Sequence, residues 1–146
     1  MKKLIVILLI SGVFISCKKD STTPTTPTPN PTAAGSFTCT IDGAAYTADS
    51  AWYNTSAGGI NILALKGSGA SRQLFEINLT GSTATTYTFP ANAFTYQTNI
   101  NNVATAGSLT ISTYDLTNRK VSGSFTNVSA GAITVTNGSF TNLPYK

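Results

Sequence analysis

Chemistry in a protein needs groups that attack, carry protons or hold ions, and this 146-residue chain has few of them. It contains no histidine. That removes the usual proton shuttle near neutral pH, the commonest zinc ligand, and both the Ser-His-Asp and the Cys-His constellations. Two cysteines remain, Cys17 and Cys39, with five acidic residues, of which Asp42, Asp49, Glu76 and Asp115 lie beyond residue 36. A glycosidase needs two carboxyl groups facing each other across a sugar, whereas these four stand singly in turns or on strand-like runs. Asp42 precedes Gly43, and Asp115 opens the turn before Lys120, positions where aspartate hydrogen-bonds the local backbone. Gly67-Ser68-Gly69 joins two strand-like runs and opens no helix, so it lacks the helix N-terminus that phosphate loops use. No Asp-rich loop offers converging oxygens for Ca²⁺. The residues point to a protein that is not an enzyme, with no catalytic residue, no cofactor and no metal site.

Cys17 is the exception with a definable chemical role. It follows Val13-Phe14-Ile15-Ser16, at the end of an apolar run from Leu4 to Ile15 that Lys2 and Lys3 introduce. A bilayer-spanning helix needs roughly 20 residues, so this shorter run matches the core of a signal peptide. Ser16 followed at once by Cys17, and then by Lys18-Lys19-Asp20, resembles the lipobox of bacterial lipoproteins, with Phe14 where that family usually has leucine. The resemblance implies cleavage between Ser16 and Cys17, acylation of Cys17 with palmitate-type chains, and a membrane as the first partner. One acyl chain binds a membrane only reversibly; the three that mature bacterial lipoproteins carry imply lasting attachment. Lys18, rather than aspartate, in the second mature position implies an outer-membrane location in the cell envelope.

Three segments follow. Residues 1–16 form the signal peptide, residues 17–35 the lipidated cysteine with its tether, and residues 36–146 a single domain. The tether is rich in Ser, Thr and Pro, with four prolines between Asp20 and Ala34 and no large apolar residue. It reads as an extended polyproline-like spacer with a reach of about 40–45 Å at roughly 3.1 Å per residue. Asp20-Ser21-Thr22 resembles the acceptor of a Bacteroidota O-glycosylation system, and Asp49-Ser50-Ala51 fits the same pattern, so Ser21 and Ser50 are candidate glycosylation sites. The formal charge of +4 belongs to the precursor. Beyond residue 36 five basic side chains face four acidic ones, and no basic stripe of the kind nucleic acid requires is present.

Within the domain, strand-like runs alternate with turn signals, as in sandwiches and barrels. The runs are 36–41, 46–55, 59–66, 72–80, 85–89, 94–98, 108–114, 120–128 and 132–143, with Asn101-Asn102 read as one of the turns between them. Phe75, Ile77 and Leu79 alternate with Glu76, Asn78 and Thr80, and Leu109 and Ile111 with Thr110 and Ser112, the pattern of half-buried antiparallel strands. Cys39 alternates with Phe37 and Ile41 and reads as a core cysteine. The nearly continuous apolar run 59–65 predicts a strand covered on both faces. Ile133 and Val135 are out of phase with Phe140, which a β-bulge at Asn137-Gly138 would repair; an Asn-Gly hairpin is the alternative. The expectation is all-β, an antiparallel β-sandwich or flattened barrel of about 8–9 strands.

Phe37-Thr38-Cys39-Thr40-Ile41-Asp42-Gly43, Lys120-Val121-Ser122-Gly123-Ser124-Phe125 and Ile133-Thr134-Val135-Thr136-Asn137-Gly138-Ser139-Phe140 followed by Leu143-Pro144-Tyr145 resemble an uncharacterised domain family of small Bacteroidota lipoproteins. That resemblance implies a compact antiparallel β fold and no activity. Binding then rests on aromatic residues. Trp52 and Tyr53 are adjacent and must face opposite ways, and Tyr87, Tyr96 and Tyr114 alternate with polar neighbours. The leading expectation is a lipid-anchored, non-catalytic interaction or structural module with an unidentified envelope partner. The alternative is a glycan-binding accessory lipoprotein that stacks sugars on Trp52, Tyr53, Tyr87, Tyr96 and Tyr114.

Overall fold

A chain rich in threonine and serine, with apolar residues at alternate positions, satisfies itself by pleating: the apolar set turns inward and the hydroxyls face water. The computed structural model, which describes residues 35–146, has this form. Its strands are β1 (Ser36–Ile41), β2 (Ala44–Thr47), β3 (Ser50–Ser56), β4 (Gly59–Lys66), β5 (Gln73–Asn78), β6 (Thr86–Thr88), β7 (Ala93–Gln97), β8 (Asn101–Asp115), β9 (Lys120–Ala130) and β10 (Ile133–Pro144). The strands follow one path, β2-β1-β10-β9-β8-β7-β5-β4-β3, with β6 beside β8. Neighbouring strands pair antiparallel throughout. β8 serves two layers: its first residues pair with β7, while Ser108 to Thr110 pair with β6. The ribbon thereby curls over itself as an all-β antiparallel sandwich, or flattened barrel.

Phenylalanines fill the space between the layers. Phe37 of β1 lies 5.2 Å from Phe75 of β5, and Phe125 of β9 lies 5.3 Å from Phe94 of β7, measured between ring centres. Tyr46 of β2 meets Phe75 edge-on at 5.0 Å. Such tilted and edge-on pairs add to the area that the rings bury. Cys39, Ile62, Ile77, Leu109, Ile111, Val121 and Val135 complete this core, so the alternation read in β1, β5 and β8 points inward as expected.

The long strands keep their apolar residues inward by shifting phase. Thr38 lies opposite Ser139, but Thr40 lies opposite Thr136, which places the expected bulge in β10 at Asn137. Asn137 takes a positive φ of 51°, a conformation that asparagine tolerates better than any other residue with a Cβ. Val135 and Phe140 are consequently both buried, although an odd number of positions separates them. Asn127 and Asn142 have φ of 50° and 51° and make the same correction between Phe125 and Val128 and between Phe140 and Leu143. We expect Asn137→Val to destabilise the domain by about 1–2 kcal/mol and Asn137→Gly to be near neutral, since the left-handed backbone costs L-residues about that much. Urea unfolding of the two variants checks this.

Three expectations need correction. The run 46–55 is two strands, because the chain changes layers at Ala48-Asp49: Ala48 N–H donates to Phe37 O and Asp49 N–H to Leu65 O. β8 begins at Asn101, where a turn was expected, and the reversal lies just before it, where Thr98 N–H donates to Ile100 O. β4 is covered on one face only. Ile60, Ile62 and Ala64 are buried, whereas Leu63 and Leu65 are half-buried on the outer face, with Leu63 paired to Trp52 and Leu65 to Leu74.

Candidate functional site

Ser16, Cys17 and Ser21 lie outside the described residues. Ser50 is exposed at the first position of β3. The five aromatic candidates do not form a platform: Tyr53, Tyr87 and Tyr96 are buried, and only Trp52 and Tyr114 are half-buried. Alternation did separate Trp52 from Tyr53, and packing chose Tyr53 for the interior. The aromatic rings expected to stack sugars are spent mainly on holding the fold.

The carboxylates are engaged locally. Asp42 accepts Thr134 N–H at 2.8 Å and Asp49 accepts Gly67 N–H at 2.8 Å, each tying a turn to a neighbouring strand. Asp115 accepts Asn118 N–H at 2.9 Å and the Asn118 side-chain amide at 2.8 Å. These hydrogen bonds hold its carboxyl below the ordinary value, the backbone bond contributing most. On the outer face Asn54, Asn61 and Asn78 lie abreast across β3, β4 and β5. Asn61 donates to Asn78, and Asn78 donates to Glu76 at 3.3 Å. Among the described residues no group of three His, Cys, Asp or Glu side chains could hold a metal ion.

Burial pushes the Cys39 thiol up from 9.0 to about 12, against a smaller opposing pull from Lys66. Burial likewise raises Tyr46, Tyr53 and Tyr96. The unfolded chain releases these protons at lower pH than the folded one, so the associated stability is present below the unfolded values and is lost as pH rises toward the folded ones. For Cys39 that window opens near 9.0 and extends to about 12. The unfolding free energy measured by urea titration should therefore fall above pH 9.0, by about 1.4 kcal/mol per pH unit for each group still protonated only in the fold. Cys39→Ala should flatten this fall, and a thiol reagent should label Cys39 in urea but not in buffer.

The densest meeting of aromatic and cationic side chains is where β10 runs out onto the edge of β3. Tyr145 bridges Tyr53 in parallel, Lys146 N–H donates to Tyr53 O at 2.9 Å, and Tyr145 N–H donates to Arg119 O at 3.3 Å. Tyr114 and Tyr145 meet the buried Tyr53 edge-on at 6.0 and 5.4 Å. The Arg119 guanidinium carbon lies 3.9 Å from the Tyr145 ring centre, and Lys146 Nζ lies 4.3 Å from that of Trp52, both cation–π distances. Arg119 occupies the turn between β8 and β9 with φ 52°. Gly35, where the chain enters, is wedged against this end: a Cβ there would stand 2.7 Å from Leu143 Cα and 2.8 Å from Pro144 Cδ. The opposite pole carries the Asp42-Gly43 turn, the β7–β8 turn with Ile100, and Gly131.

Sequence reasoning missed Arg119, Tyr145 and Lys146. Pro144-Tyr145 does end an alternating run, but its contact with β3 spans most of the chain and leaves no local signal. Compared with protein-family models, with curated proteins and with solved structures, the chain has no match in any of the three.

Proposed function

We propose that the protein is a lipid-anchored component of the bacterial cell envelope, held in a membrane through Cys17 and acting as a non-catalytic interaction or structural module. The observation that carries this reading is the order of segments: a short apolar run ending at Ser16-Cys17, a proline-punctuated tether, and then a folded β domain. The domain gives it support of a second kind. Its aromatic residues build the core, and three of its four carboxylates brace backbone N–H groups, so the chain invests its functional groups in a stable body. Three acyl chains on Cys17 would make attachment effectively permanent, and the outer membrane is the proposed address. A glycan platform made of the five sequence candidates has lost its footing with Tyr53, Tyr87 and Tyr96 inside.

The test is Cys17→Ala expressed in a bacterial host that acylates lipoproteins. The parent should incorporate labelled palmitate and sediment with membranes until detergent is added. The variant should do neither. Membrane retention of Cys17→Ala that still requires detergent for release would overturn the anchor.

A further inference from the structure

The pole at which the chain enters the domain has a composition of its own. Arg119, Lys120 and Lys146, three of the five basic side chains beyond residue 36, gather there with Asp115 as their acidic counterpart. Both Asp115 oxygens already accept hydrogen bonds from Asn118. Among the described residues neither Arg119 nor Lys120 has a carboxylate partner within salt-bridge distance; Lys120 Nζ reaches only Asn142 O, at 3.5 Å. The Arg119 guanidinium carbon lies 3.9 Å from the Tyr145 ring centre, and a guanidinium held against a ring still has N–H donors for a bidentate acceptor such as phosphate. An open depression of about 370 Å³ between Thr113, Asp115, Asn118, Lys120 and Asn142 adjoins them. Leu116, at the tip of the same hairpin, is 71 % exposed.

Cations, an exposed leucine and half-exposed aromatic rings are the side chains that settle at a membrane–water interface. We propose that this pole docks on the anionic lipid headgroups of the membrane that holds the chain, with Arg119, Lys120 and Lys146 contacting phosphate and Leu116 at the headgroup level. The proposal rests on the lipid anchor at Cys17, and the position of Gly35 is what favours a lipid surface as the occupant. The segment joined to Gly35 leads to Cys17, so the pole that carries the cations is also the one from which the chain leaves for the bilayer. Two exposed cations, Arg119 and Lys146, with the half-buried Lys120 bind an anionic surface weakly in free solution. A tether whose full reach is about 40–45 Å keeps the pole within that distance of the surface, which makes each weak contact an intramolecular one.

The test separates docking from acylation. The mature chain from residue 17 is coupled through Cys17 to a maleimide lipid in vesicles; Cys39 is buried with a raised pKa and stays unreacted. Two single-tryptophan reporters are made in a Trp52→Phe background: Leu116→Trp at the docking pole and Ile100→Trp at the far pole. On phosphatidylglycerol vesicles acrylamide quenching of the Leu116→Trp reporter should fall by about twofold or more relative to phosphatidylcholine vesicles, and 0.5 M salt, where screening takes over on the order of a few ångströms, should abolish the difference. The Ile100→Trp reporter should be quenched equally on both. Adding R119Q, K120Q and K146Q to the first reporter should restore full quenching. Equal quenching of the Leu116→Trp reporter on the two lipids, or protection that survives the three glutamines, would overturn the docking surface. Because coupling is chemical, a failure of Cys17 acylation in cells overturns the anchor and leaves this result to be read separately.

Discussion

Phe75→Ala should remove about 3–5 kcal/mol of stability, the range for deleting a buried aromatic side chain when its surroundings cannot collapse into the space. Phe75 has no exposed surface and stands at the centre of the ring cluster. Its ring centre lies 4.7 Å from Tyr96, 5.0 Å from Tyr46, 5.2 Å from Phe37 and 5.5 Å from Phe94. Those four rings come from three different strands, β1, β2 and β7, across both layers, and each strand is fixed by its own ladder, so none can move far to fill a hole. Against a total stability of about 5–15 kcal/mol for a domain of this kind, the variant should be close to unfolding at 37 °C. Glu76, the next residue, faces outward, and Glu76→Ala should stay within about 0.5 kcal/mol. Trp52, the one tryptophan of the chain, supplies the fluorescence signal for urea titration of both variants. A loss below about 1.5 kcal/mol for Phe75→Ala would mean that the two layers do not interlock at this ring.

What the sequence made legible was local. Phe75, Ile77, Leu109 and Ile111 announce their strands because a period of two needs only a few residues to show. The phase break between Val135 and Phe140 announces a bulge for the same reason, and asparagine marks its position. The corner at Ala48-Asp49 was hidden, since what defines it is a pair of hydrogen bonds to Phe37 and Leu65, one in each layer. The apolar run in β4 misled because Leu63 and Leu65 are sheltered by Trp52 and Leu74 on adjoining strands and not by a third layer. At the candidate pole the cations could be counted in the sequence, but their meeting could not. Arg119 and Tyr145 come together because the end of β10 lies along the edge of β3, a long-range pairing with no turn residue to announce it.

Repetition in the sequence acquires a physical meaning in the hairpin of β9 and β10. Each strand carries Gly-Ser-Phe, and the two triplets pair head to tail: Gly123 faces Phe140, Ser124 faces Ser139 and Phe125 faces Gly138. Each phenylalanine ring lies across the glycine opposite, covering a position that would otherwise weaken the sheet. A Cβ at residue 138 would overlap the Phe125 ring, which is buried and held by Phe37 at 5.7 Å and Phe94 at 5.3 Å. Gly138→Ala should therefore cost about 1–3 kcal/mol, the usual penalty for overpacking. In a Phe125→Leu background the smaller side chain can turn aside, and the cost of Gly138→Ala should shrink, giving a coupling of about 1 kcal/mol or more in a double-mutant cycle. Gly123 provides the contrast. A Cβ there would strike the Thr110 carbonyl oxygen as well as the Phe140 ring, and a carbonyl within a sheet ladder cannot move without breaking that ladder. Gly123→Ala should cost at least as much, and Phe140→Leu should fail to rescue it. Additive costs at Gly138 and Phe125, measured by urea unfolding, would show that the paired triplets are incidental and that these glycines are set by backbone constraints alone.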